Sequence, residues 1–226
     1  HVKSVVLGEN GLATYMKEGD LLIDMSSIAP GVSKEVEEIL IQKGIHMVDA
    51  PVSGGEPKAE DGTLAIMVGG KEEDFERAKP YFDILGASAV LVGPIGSGNT
   101  CKLTNQMIVA VNIAVLAEGL QLAKRAGADT QKVFDAIKGG LAGSTVMNAK
   151  APMMLAGNYQ PGFKIDLHIK DLTNAMDTGY ATNTPMPLTA EVMQMFQVLK
   201  ADGCGQEDHS ALEKYYEKLT GTKVGE

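Results

Sequence analysis

The chain has 226 residues, 44% hydrophobic and 22% charged, with a net charge of -9 and no basic block. That composition suits one large or two modest globular domains and excludes a nucleic-acid-binding or anionic-membrane surface as a natural partner. Its two cysteines, Cys101 and Cys204, lie far apart. With neither HxxxH nor CxxC, the expectation is no metal site, no disulfide framework and a reducing cytoplasm. No apolar stretch free of polar residues is long enough for a bilayer, and no signal peptide is evident.

The first part alternates strand and helix patterns. Residues 21–25 (LLIDM) form a short apolar run, and Pro30 then opens a helix with Val32, Val36, Ile39 and Leu40 at helical spacing. Residues 46–52 (HMVDAPV) read as a second strand and 64–68 (LAIMV) as a third. Residues 75–85 read as a helix begun by acidic residues, as the helix dipole favours, and 89–92 (AVLV) as a fourth strand. The pattern predicts an open, largely parallel α/β sheet, with any mixed pairing at its edge.

After Gly98 the pattern is helical: one long helix over 101–126, then helices near 129–138, 144–155, 166–180, 187–200 and 208–219, punctuated by glycine and proline. The expected organisation is an α/β domain over 1–96 followed by an all-α domain over 97–226.

Residues 107–117 are almost wholly apolar on every side, the pattern of a buried helix. Lys102 is the one charge before Glu118 in that helix, and Asn105 and Gln106 share its face one turn on. A lysine beside two amides suits a small anion; the alternative is a lysine that snorkels to solvent from the helix start. A cation is disfavoured at that end of a helix, which a resident anion would offset.

The segment Asp49-Ala50-Pro51-Val52-Ser53-Gly54-Gly55 follows a strand, where ligands of open α/β sheets bind. Ser53 offers a hydroxyl, and Gly54 and Gly55 let backbone N–H groups approach a carboxylate; the competing reading is a plain strand exit. The nearest match to a dinucleotide-binding GxGxxG is Gly96-Ser97-Gly98, but Cys101 stands in the third glycine's place and a long apolar helix follows, so it is not that fingerprint.

Several motifs together resemble the β-hydroxyacid dehydrogenases, the group of 3-hydroxyisobutyrate and 6-phosphogluconate dehydrogenases: DMSSIAP (24–30), DAPVSGG (49–55), GTLAIMVGG (62–70), GSGNTCKLTNQ (96–106), GGLAGSTV (139–146) and GFKIDLHIKDL (162–172). The resemblance implies a partial Rossmann-type sheet domain, a helical 6-phosphogluconate-dehydrogenase-like domain and hydride exchange between NAD or NADP and a small 3-oxo or hydroxy acid. It implies Lys102 as the catalytic lysine. It implies Ser53, Gly54, Gly55, Asn105 and Gln106 at the substrate, and Ser27 and Lys170 at the cofactor. Phe163 and Asp171 lie in the same cofactor-facing segment.

Gln106 stands where many relatives have asparagine. For Lys170 the alternative is an i,i+4 ion pair with Asp166. The resemblance also implies homodimers or homotetramers through the helices. It places the start of the numbering inside the Rossmann domain, after about two βα lengths of roughly 30 residues each. A chain without the glycine loop has a competing reading, an inactive or purely oligomerising module.

Overall fold

The computed structural model describes residues 1–225. They divide into two units: a sheet unit of residues 1–105 with 177–183, and a helical unit of residues 106–176 with 184 onward. The division cuts one long helix between Asn105 and Gln106.

In the sheet unit the elements run α1 (Val2–Leu7), β1 (Leu21–Asp24), α2 (Pro30–Ile41), β2 (His46–Asp49), β3 (Val52–Ser53), α3 (Gly55–Glu60), β4 (Leu64–Gly69), α4 (Glu72–Leu85) and β5 (Gly86–Gly93). Pro30 stands in the first turn of α2, as its spacing predicts. Residues 46–52 are not one strand. Pro51, which has no N–H to give a ladder, separates β2 from β3.

β1 and β2 are parallel, as are β4 and β5, but both β2 and β3 meet β4 antiparallel. The mixed pairing is therefore inside the sheet and not at its edge. The short connection through α3 makes the difference: a parallel return needs a longer crossover. Val48, Ala50, Ile66, Val68, Ala78 and Phe82 pack between the sheet and α4, and Val36, Leu40, Ile45 and Met47 pack with α1 and α2.

The long helix is α5 (Ser97–Arg125); it begins a turn earlier than the sequence pattern indicates. After it come α6 (Thr130–Ile137), α7 (Thr145–Leu155), α8 (Ile165–Thr182), α9 (Pro187–Ala201) and α10 (Glu213–Thr220). Asp129 and Ser144 cap α6 and α7 through Lys132 N and Met147 N. The core of the helical unit gathers Ala110, Ile113, Ala117, Leu120, Ile165, Leu172, Phe196 and Leu212.

By length and composition α5 is long and apolar enough to cross a membrane, which the sequence reading did not anticipate. It is also not buried all round, contrary to expectation: Ile108, Val115 and Leu122 are 57%, 62% and 72% exposed. Their seven-residue spacing keeps them on one stripe, away from the residues that enter the core.

Candidate active site

On the sheet unit, three segments carry candidate residues, and one buried network ties them together. Asp49 ends β2 with no exposed surface. Its carboxylate accepts from Gly96 N at 2.6 Å, Asn99 N at 2.7 Å and Asn99 Nδ2 at 3.3 Å. Asn99 also gives Nδ2 to Ser33 Oγ and accepts from Ile28 N. The first turn of α5 is thus bonded to the end of β2 and to the loop after β1. Burial pushes the Asp49 carboxyl above its ordinary range, while the donors from Asn99 and Gly96 pull it back.

That network fixes the surroundings of Ser27, Ser53 and Lys102. Ser27 is half-buried in the loop after β1, whose Ser26 N donates to Asp24 Oδ1. Ser53 is half-buried at the end of β3, and the chain then turns through Gly54 (φ 143°) and Gly55 (φ 68°), conformations that favour glycine. Lys102 sits in the second turn of α5 and is only 7% exposed. So little exposed surface is unlike an open surface lysine; with the earlier helix start Lys102 also lies beyond the first turn, where the dipole acts most. Asn105 is half-buried one turn further on.

Gly96 and Gly98 have their own explanation. Gly96 turns the chain at φ 86°, and a Cβ on Gly98 would lie 2.4 Å from Met67 O and 2.5 Å from Asp49 O. These glycines let α5 start against the sheet backbone.

On the helical unit, Gln106 is 5% exposed and its Nε2 donates to Asp171 Oδ2 at 2.7 Å. Asp171 is buried, and the exposed Lys170 ammonium stands 3.0 Å from its Oδ1. The alternative partner Asp166 pairs instead with Lys200 and accepts from Gln206. Phe163 packs its ring against His168 and His209, at 5.7 and 5.4 Å between centroids. Its N–H donates to Asp208 Oδ2, which Gly162 N also reaches.

Sequence reading missed Asp49, Asn99, His168 and Asp208. An aspartate in the apolar run HMVDAPV and a histidine in IDLHIKDL were the available signals.

Away from these residues, His46, Glu73 and Asp74 bring possible ligand atoms within 4.8 Å of one another. His46 Nδ1 meets Asp74 Oδ1 at 2.7 Å and the Arg77 guanidinium takes the same oxygen at 3.2 Å, so the Asp74 carboxylate is already engaged by protein side chains and joins β2 to α4. It borders a cleft of about 270 Å³ lined by the amino end of β2 and by the residues that follow β4 and β5.

Residues 96–216 match the model of the NAD-binding domain of NADP-dependent 3-hydroxyisobutyrate dehydrogenase, and residues 1–93 that of the NAD-binding domain of 6-phosphogluconate dehydrogenase. The chain belongs to the 3-hydroxyisobutyrate dehydrogenase-like family of nicotinamide-dependent oxidoreductases. It is 43% identical to 2-hydroxy-3-oxopropionate reductase of Escherichia coli K12 over 99% of its own length and 76% of that protein's. It is 38% identical to 2-(hydroxymethyl)glutarate dehydrogenase of Eubacterium barkeri, over 99% of this chain and 74% of the other. The solved 3-hydroxyisobutyrate dehydrogenase of Mycobacterium tuberculosis superposes with a TM-score of 0.85 at 32% identity, covering 90% of this chain and 72% of that one.

The residues fit one end of the nicotinamide cofactor this family uses. At the carboxyl end of β1, Asp24 Oδ2 is buried with no hydrogen-bond partner, an acceptor three residues before Ser27 in the chain. The adjacent N-terminus of α2 has no side-chain cap. Hydroxyl and amide groups of a nucleoside match that set, whereas residues 1–226 contain no GxGxxG loop for a pyrophosphate.

Proposed function

We propose that the protein containing this chain interconverts tartronate semialdehyde (2-hydroxy-3-oxopropionate) and glycerate, with NADH or NADPH as the reductant. The observation that carries this reading is Lys102, a lysine 7% exposed on an apolar helix. Asn105 and Gln106 follow it one turn on. A buried ammonium is costly unless an anion or hydrogen-bond acceptors meet it. The choice of substrate is supported by 43% identity to the E. coli reductase, against 33% to L-threonate dehydrogenase of the same species.

When bound, the reduced cofactor supplies a hydride to the aldehyde carbon; Asp24, Ser27, Phe163, Lys170 and Asp171 are the residues proposed to hold it. The remaining work falls to the substrate-facing side chains. Ser53 and the backbone N–H groups of Gly54 and Gly55 bind the substrate carboxylate, and Asn105 and Gln106 orient it. Protonated Lys102 hydrogen-bonds the carbonyl oxygen, stabilises its growing negative charge and donates the proton; in the oxidative direction it accepts it. Gln106 acts through a fixed amide, because its Nε2 is bound to Asp171.

The test is Lys102→Met in the protein that contains this chain. The kcat for tartronate semialdehyde should fall by at least about a thousandfold, the combined scale of a lost proton donor and charge stabiliser, with cofactor affinity nearly unchanged. Near-normal turnover by the variant sinks the role of Lys102, and turnover of L-threonate in preference to glycerate sinks the substrate.

The same protein is proposed to be a cytoplasmic homodimer or homotetramer. The free cysteines Cys101 and Cys204 suit a reducing compartment. The exposed stripe of α5 and the fully exposed Leu141 offer the helical unit as the association surface.

A further inference from the structure

His168 on α8 and His209 are both buried, and their Nδ1 atoms lie 2.9 Å apart. The Nε2 of His168 lies 3.0 Å from the backbone carbonyl oxygen of Gln106. A carbonyl oxygen only accepts, so His168 Nε2 must carry a hydrogen. A neutral His168 then has a lone pair on Nδ1, and the hydrogen between the rings must come from His209 Nδ1. The opposite neutral arrangement would set the His168 Nε2 lone pair against the Gln106 carbonyl oxygen. Burial, and then the neighbouring His168, hold the His209 pKa well below the usual histidine value, so His209 is the neutral member of the pair.

Both rings are locked. Phe163 packs on each of them, and Phe196 lies 5.1 Å from His168 between centroids. His209 N donates to Phe163 O, and Asp208 accepts from Gly162 N, Phe163 N and Ser210 N while paired with Lys150. The turn at 208–210, the segment at 162–163, α8 and the Gln106 turn of α5 are therefore joined by hydrogen bonds. Gln106 is held at both ends: its carbonyl by His168 and its side-chain amide by Asp171, three residues further along α8.

We propose that the His168–His209 pair, in the single tautomeric arrangement His209 Nδ1–H···Nδ1 His168 Nε2–H···O Gln106, is a positioning device for Gln106 and the turn of α5 that presents it. Its kinetic consequence rests on the reading of Gln106 as a substrate-facing residue; its geometry does not.

Nitrogen-15 spectra of the imidazoles test the arrangement directly. The expected result is a proton on His168 Nε2 and on His209 Nδ1, with a coupling across the ring-to-ring hydrogen bond. A His209 ring protonated on Nε2 overturns the assignment.

Two substitutions test the positioning. His168→Gln keeps a donor near the Nε2 position, and His168→Asn keeps only the acceptor near Nδ1. The KM for the hydroxy acid should stay within about twofold in His168→Gln and rise about tenfold in His168→Asn, the scale of one hydrogen bond, with kcat little changed. Equal KM values in the two variants, with the melting temperature lowered in both, would mean a purely structural pair. If the unsubstituted protein turns over no hydroxy acid, the functional reading fails instead. The order of the Gln106 side-chain amide, lost in His168→Asn and kept in His168→Gln, then decides the positioning by itself.

Discussion

Glu213 has no exposed surface, and its carboxyl accepts from Gln121 Nε2 at 2.6 Å and Tyr159 Oη at 3.1 Å. Burial first, and then hydrogen bonding to Glu217, push its pKa up to about 8. The folded protein thus binds a proton that the unfolded chain releases near pH 4.5. The associated stability is fully present below that lower value and is lost as pH rises towards 8, at a slope of at most about 1.4 kcal/mol per pH unit.

Melting temperature should therefore fall between pH 5 and pH 8, and Glu213→Gln should flatten that decline. An unchanged slope in the variant would assign the effect elsewhere. Single residues were unequally legible. Lys102 stood out because a charge on an apolar helix is conspicuous. The commitment of Gln106 to Asp171 was not, because their spacing of 65 residues has no local signature.

The start of α5 shows how an element is placed by partners remote in sequence. Three donors of its first turn region converge on Asp49, and Gly98 permits the close approach to the sheet. Asp49→Ala would leave buried N–H groups without an acceptor, at a cost of about 3 kcal/mol. Urea denaturation measures it; a loss below about 0.5 kcal/mol would show that water replaces the carboxylate.

The helix itself was legible from its apolar run, but its first turn was not. The residues GSGN have no helical propensity pattern, and tertiary bonds to Asp49 decide their conformation. The split of the predicted strand at Pro51 is the same lesson at shorter range. The apolar run is a pattern of side chains, while the ladder ends on a backbone N–H that proline lacks.

For the whole molecule, the unresolved demand is the exposed apolar stripe of Ile108, Val115 and Leu122. A groove of about 200 Å³ lined by Val115, Gly119, Val133 and Ile137 adjoins it. If a second copy covers this face, sedimentation should show a dimer or larger assembly, and Val115→Glu should shift it towards monomer. A monomeric unsubstituted protein at micromolar concentration would refute the association.

The sequence by itself determined the succession of an α/β unit and a helical unit, the lysine-and-amide face of α5 and the glycine turn after Ser53. All of these follow from residue type and short-range spacing, which hydrophobic periodicity and backbone restriction make readable. Only the tertiary structure decided that β4 pairs antiparallel with β2 and β3, that Asp49 and Asn99 bind the three candidate segments of the sheet unit together, and that two histidines 41 residues apart share a hydrogen bond. These depend on buried polar groups finding partners far along the chain, a requirement that burial imposes and that no local pattern records.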